Sequence, residues 1–165
     1  LATPSLPDES SSGIGSLVYK EVMRGTTDEL GDSGEPRVST RSPRRFQDSR
    51  GATVLLVDGE RLDFVEYLEF NSAGDVRGGH YHLEYEEQLH VISGELDAEF
   101  LDMSNDSPGA SVTSFKLKSG TTVTIPPAVA HRFTAREPTR AVAFGKGSSP
   151  LVDRTDVDTG TWNDR

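Results

Sequence analysis

His80-Tyr81-His82, followed by Glu87 and far downstream by His131, constrains this chain more than any other feature. Side chains of a β-strand alternate between its two faces, so an extended backbone sends His80 and His82 to one side and Tyr81 to the other. Glu87 opens the next apolar run with Leu89 and Val91 on its own face, and His131 shares a face with Val129 and Phe133. A small closed barrel would let three imidazoles and one carboxylate converge inside it, and that donor set suits a divalent transition metal. Donors at roughly 2.0–2.2 Å from a common ion would stand with their polar atoms about 3–4 Å apart. Glu86 competes with Glu87 for the carboxylate place; alternation with Leu89 and Val91 favours Glu87. His90 falls on the opposite face and reads as structural. The alternative for the histidines is acid–base work without a metal.

The remaining sequence reads as all β. Ala52–Val57 is an apolar, β-branched run closed by the Asp58-Gly59 turn signal, and Phe64–Phe70 is a second run ended by residues 71–75. After the histidine segment come Gln88–Ile92 and the Ser93-Gly94 turn. In Glu95–Leu101, Leu96, Ala98 and Phe100 alternate with Glu95, Asp97 and Glu99, the pattern of a strand with one wet face. Val112–Leu117, Thr121–Ile125, Val129–Thr134 and Ala141–Phe144 complete about nine short strands, which is a sandwich or barrel pattern. Residues 1–47 read as a polar, partly disordered arm, residues 48–148 as the barrel and residues 149–165 as a C-terminal tail. Within Leu17–Met23 a helical turn and a surface strand both stay open. Arg37, Arg41, Arg44, Arg45 and Arg50 concentrate positive charge ahead of the barrel.

The 165 residues suffice for one domain with a real core. With no cysteine, disulfides and thiolate ligands are excluded, so any metal must be held by N and O donors. The formal charge of −10 argues against non-specific nucleic-acid or anionic-membrane binding. No apolar run approaches the roughly 20 residues of a membrane span, and the expected location is cytoplasmic.

The two stretches Gly79-His80-Tyr81-His82-x4-Glu87-x6-Gly94 and Gly120-x5-Pro126-Pro127-Ala128-x2-His131 resemble the paired signature motifs of the cupins. The resemblance covers roughly residues 48 to 150. It implies an all-β, double-stranded β-helix (jelly-roll) barrel, with one divalent transition metal (Zn, Fe, Mn or Ni, Zn or Fe favoured) on His80, His82, Glu87 and His131. Ala128 and Ala135 stand where the second motif usually has Gly and Asn. More narrowly, Arg77-Gly78-Gly79-His80-Tyr81-His82 is similar to the Arg-Gly-x-His segment of sugar-nucleotide cupins. These include dTDP-4-dehydrorhamnose 3,5-epimerases, 3,4-ketoisomerases and the cupin domain of capsular polysaccharide biosynthesis reductases. The last group is the most similar, sharing Arg-Gly-x-His-Tyr-His, the Glu five residues after the second His, and Ile-Pro-Pro-x3-His. Asp48-Ser49-Arg50-Gly51 is similar to their Asp-x-Arg-Gly.

That resemblance implies a nucleotide-sugar substrate, with Arg50 and Arg77 on the diphosphate and His80 removing a proton next to a ketone. Tyr81 and Tyr85 are candidates to donate a proton or stack on a base, although barrel aromatics usually pack, and Phe133, with Phe70, Leu89 and Phe100, is the expected wall of the substrate cavity. Chemically the assignment is coherent, because imidazole titrates near neutrality and bidentate guanidinium matches phosphate. A conflict stays open: a metal-bound His80 has no lone pair left to act as the base. Three functions follow as alternatives, namely a sugar-nucleotide epimerase or ketoisomerase, an Fe(II)-dependent oxygenase of a small molecule, and a non-catalytic small-ligand binder. A homodimer is expected, since small barrels leave strand edges that a partner can cover.

Overall fold

In the computed structural model, residues 38–104 and 112–160 are described. Leu17–Met23, Arg37 and the Ser104–Gly109 loop lie wholly or mostly outside them. The strands are β1 (Ser39–Arg41), β2 (Arg44–Asp48), β3 (Gly51–Leu55), β4 (Phe64–Phe70), β5 (Val76–Tyr81) and β6 (Glu86–Ser93). They continue with β7 (Glu95–Asp102), β8 (Thr113–Lys118), β9 (Thr122–Ile125), β10 (Val129–Ala135), β11 (Thr139–Lys146) and β12 (Thr155–Asp156). All ladders are antiparallel. One sheet has the order β1-β9-β6-β11-β4, the second β12-β5-β10-β7-β8, and β2-β3 form a separate hairpin. This is a jelly-roll barrel.

The alternation seen in the sequence fixes which face of each strand is buried. Leu89 and Val91 from β6, Leu96, Ala98 and Phe100 from β7, and Phe133 and Ala135 from β10 join Phe70, Val123, Ile125 and Ala141 in one core between the sheets. A one-residue slip in any of these strands would expose its whole apolar set, so the core also fixes the register. A smaller cluster of Leu101 and Ala130, with Tyr81 and Val157 packed on it, lies behind the second sheet.

Three strands were not legible as such. β1 hydrogen-bonds along β9 from Ser39↔Thr124 to Arg41↔Thr122. Arg41 donates to the Leu56 carbonyl at 2.9 Å and to Gln88 Oε1 at 2.8 Å, tying the segment after β3 to the outside of the first sheet. The expected boundary at residue 48 thus falls at the end of β2, after a strand already paired into the barrel. At the other end the polar C-terminal stretch, expected as a tail, is pinned by β12 to β5 through Thr155↔Tyr81 and Asp156↔His80. No helix among the described residues is long and apolar enough to cross a membrane.

Ala128, standing where the second motif usually has Gly, adopts φ +60°, the left-handed region that costs a side-chain-bearing residue about 1–3 kcal/mol. The turn is held by Ala128 N–H donating to the His82 carbonyl at 2.6 Å and Met103 N–H to the Ala128 carbonyl at 2.8 Å. Ala128→Gly should therefore stabilise the fold by about 1 kcal/mol, net of the extra chain entropy of glycine. Calorimetry should read a melting temperature higher by roughly 2–4 °C; an unchanged or lower value would show that the turn is not strained.

Candidate metal centre

The site is assembled from three strands and the turn between two of them. β5 carries His80 and the residue after it ends in His82; β6 brings Glu87; β10 brings His131, which is the register partner of His80. The His131/Arg132 irregularity lies opposite Gly78, whose φ is +90°. A Cβ at Gly78 would stand 2.5 Å from the His131 carbonyl oxygen, so only glycine lets β5 approach β10 closely enough to set the two imidazoles together. Their ring centroids are 4.7 Å apart, and His80 to His82 is 4.8 Å.

One donor atom from each of His80, His82, Glu87 and His131 lies within 4.8 Å of the others. His131 Nε2 and His82 Nε2 are 3.4 and 3.7 Å from the same Glu87 oxygen, inside the expected 3–4 Å; the widest separation is somewhat larger. Glu87 is buried, whereas Glu86 is exposed, which places the carboxylate as alternation required. His90 lies on the opposite face, buried, with Nδ1 2.9 Å from Thr122 Oγ1.

Burial dominates the electrostatics of the cluster. Burial first, then the neighbouring His131 and His82, holds the His80 pKa down at about 3; burial likewise lowers His131 to about 4. Burial pushes Glu87 up to about 7, against the pull of His82 and of the Tyr85 hydroxyl that donates to it at 3.2 Å. Tyr85 itself is raised, by burial and by the Glu87 charge. His82 donates Nδ1–H to the Asp153 carbonyl, which leaves the Nε2 lone pair facing the centre. His131 Nδ1–H donates to the Val129 carbonyl at 3.3 Å in the same sense. Yet among the described residues His82 Nε2 and His80 Nδ1 are buried without a hydrogen-bond partner. Orphaned buried acceptors cost free energy, and a cation bound by three imidazoles and a carboxylate would satisfy them. The residues fit a divalent metal of the Zn or Fe type.

The other expected residues are distributed differently. Phe133 lines the cavity of about 70 Å³ at the centre, with Glu66, Leu68, Tyr85, Pro150, Leu151 and Arg154 among its neighbours. Phe70, Leu89 and Phe100 belong instead to the packed core, because the two sheets close on them and leave no space there. Of the two candidate tyrosines, Tyr81 packs on Leu101 and Ala130 away from the cavity, and Tyr85 lines it. Arg77 is paired in register with Phe133, so it shares that sheet face. Its guanidinium lies 5.7 Å from the Phe70 centroid and its Nε donates to the Glu69 carbonyl at 3.0 Å. Arg50 stands exposed at the tip of the β2–β3 hairpin, 2.6 Å from Asp48, and does not line the cavity.

Glu66, Asp153 and Arg154 were missed. Asp153 fixes His82 through its carbonyl and takes the amides of Leu83 and Glu84 on its carboxylate at 2.9 and 2.7 Å. The C-terminal segment 150–160, a strap across the site, is held further by Val157 N–H donating to the Gly79 carbonyl at 2.8 Å.

The sequence profile of the Cupin family matches residues 64–159, more than half of the chain and all four clustered donors. The chain is a cupin. Several solved structures share this cupin's fold. The dTDP-4-dehydrorhamnose 3,5-epimerase of Sulfolobus tokodaii is 19% identical, with 82% of each chain covered and a TM-score of 0.69. The same-named enzyme of Bacillus anthracis, solved with TDP and pyrophosphate, is 18% identical over 80% of this chain and 83% of its own, with a TM-score of 0.66. A sugar 3,4-ketoisomerase of Thermoanaerobacterium thermosaccharolyticum, solved with TDP, is 13% identical over 77% and 92%, with a TM-score of 0.61. No curated protein matches this cupin's sequence significantly.

Metal titration tests the donor set. In His131→Ala, affinity for Zn or Fe(II) should fall by more than the roughly 10–100-fold that loss of an outer partner costs. His90→Ala should keep the metal stoichiometry while losing about 1–3 kcal/mol of stability, since it orphans buried Thr122. In the unaltered protein a proton on Glu87 competes with the cation. Affinity should therefore rise about tenfold per pH unit below about 7 and level off above it. Equal metal loss in both variants, or affinity flat across pH 6–8, would contradict the assignment.

Proposed function

We propose that this cupin is a metal-dependent epimerase or ketoisomerase of a nucleotide-linked keto-sugar, acting by proton removal next to the ketone. The observation that carries the metal dependence is the buried three-imidazole, one-carboxylate cluster with two ring nitrogens lacking partners. The solved epimerases and ketoisomerases with the same fold support the substrate class. A divalent metal on His80, His82, Glu87 and His131 would supply positive charge where an enolate oxygen develops.

The chain's own residues do the rest. Phe133 and Leu68 give the cavity apolar walls that exclude water and strengthen the few polar contacts. The hydrogen bonds to the Asp153 and Val129 carbonyls hold His82 and His131 in the tautomer that presents Nε2 to the centre. Tyr85 orients the Glu87 carboxylate. At about 70 Å³ the cavity admits a few heavy atoms, so the carbonyl edge of a sugar enters it and the nucleotide lies outside. We assign the diphosphate to Arg77, which shares a sheet face with Phe133 and whose guanidinium suits bidentate phosphate contact. Arg50 takes that role in a homodimer in which the β2–β3 hairpin of one protomer crosses to the other. The outward residues Val65 and Tyr67 of β4, 63% and 59% exposed, support such a partner. Sedimentation at micromolar concentration should show a dimer; a monomer would remove this role for Arg50. A cytoplasmic location goes with the acidic, cysteine-free composition.

The same donor set, beside a cavity of this small volume, also suits an Fe(II) oxygenase, which is the second reading. Solvent deuterium separates the two. The metal-loaded protein should wash deuterium into a 4-keto-6-deoxy sugar nucleotide at the carbon next to the ketone, seen as a one-dalton gain by mass spectrometry. Absence of exchange, with oxygen uptake in the presence of iron, would move the assignment to the oxygenase.

A further inference from the structure

A metal-bound His80 has no lone pair for the substrate proton, so the reaction needs another acceptor at the cavity. Four acid–base side chains of the cavity wall are the metal donors themselves; among the described residues the one further carboxylate on that wall is Glu66. We propose that Glu66 is the catalytic proton carrier, taking the proton from the carbon next to the substrate carbonyl and returning it. This rests on the proton-transfer reading of the site.

Its place in β4 is unusual. Glu66 pairs in register with Ala143, which in turn pairs with Leu89, so all three share the barrel's inner face. Phe64, Leu68 and Phe70 occupy the other inward positions of that strand, while Val65, Tyr67 and Glu69 face outward. Glu66 is the one charged residue of that inward row, and it lines the cavity while staying exposed to solvent. Among the described residues no hydrogen bond or ion pair reaches the Glu66 carboxylate, whereas Glu69, one position outward, is bound by Arg140 at 3.1 Å and by Tyr67 at 3.2 Å. Its charge is felt at the centre, where it raises both Glu87 and Tyr85. Because Glu66 is exposed to solvent, it can trade its proton for deuterium between turnovers.

Tyr85, the other protic group of the wall, is committed to Glu87 as a donor and is raised far from the neutral range, which leaves it unsuited to accept a proton. Arg154, from the strap, lines the same cavity and its Nε donates to Asp156 at 2.8 Å; it supplies positive charge but no acceptor. In the forward step the C–H bond next to the carbonyl breaks, and its electron pair forms the new carbon–carbon double bond. The carbonyl π pair moves onto oxygen, and the proton passes to a Glu66 oxygen. Return of the proton to carbon reverses the flow, so no oxidant or reductant is required.

The test compares unaltered protein, Glu66→Gln and Glu66→Asp, each loaded with the same metal, in D2O with dTDP-4-keto-6-deoxyglucose. Glu66→Gln should lose about 100-fold or more of the exchange rate, in line with the loss of a general base. Its metal content should be unchanged and its substrate affinity within about threefold, so that the loss falls on turnover and not on binding. Glu66→Asp should recover part of the rate, because it restores the acceptor on a shorter arm. Exchange by Glu66→Gln within about threefold of the unaltered protein would overturn the assignment of Glu66 while leaving proton transfer intact. Metal loss in Glu66→Gln that parallels the rate loss would overturn it too, since Glu66 would then act through the centre. If the unaltered protein gives no exchange, the proton-transfer reading falls and the role of Glu66 with it.

Discussion

Three imidazoles and a carboxylate withdrawn from water around one point are the constraint on which the rest of this barrel turns. Each alone would be costly to bury, and the depressed His80 and His131 and the elevated Glu87 express that cost. The cost is tolerable in a fold whose strands deliver the donors from opposite sheets and whose outer contacts fix their tautomers. β5 and β10 belong to one sheet and β6 to the other, so the centre is where the two layers are joined by something other than apolar packing. A cation there would gather four individually costly burials into one favourable coordination sphere.

The C-terminal strap is part of that arrangement. It passes over the centre from Pro150 to Arg154, touches His82 through Asp153 and then pairs with β5 as β12. A backbone carbonyl holding a ligand histidine is an outer partner, and such partners govern affinity and ring orientation. Arg132 reaches Thr159 at 3.0 Å from the neighbouring strand, so the strap is anchored on both sides of its contact with the site.

The barrel strands and the four donors were legible because both depend on short-range regularities. Glu95–Asp102 alternates strictly enough that its faces follow from the residues, and the histidine spacing places His80 and His82 on one face by the same rule. β1, β2 and β12 were not legible, since short edge and hairpin strands made of Ser, Thr, Arg, Gln and Asp, with Phe46 the one apolar residue, carry no apolar period. Ala128 shows the complementary case, in which the departure from the usual Gly was visible but the turn geometry persists with φ +60°. Glu66 did carry a signal, a charge at an inward position of an apolar run, which becomes chemical only once the tertiary fold sets it beside the histidines. The cavity was misread at Phe70, Leu89 and Phe100 because alternation gives the inward face and says nothing of how tightly the layers close.

X-ray absorption at the metal edge of the loaded protein tests the central claim most directly. The account predicts one ion per chain with three nitrogen and one oxygen protein donors at about 2.0–2.2 Å, and the outer scattering that imidazole rings produce. A protein that takes up no Zn or Fe, or one whose ion has an all-oxygen shell without imidazole scattering, would contradict it.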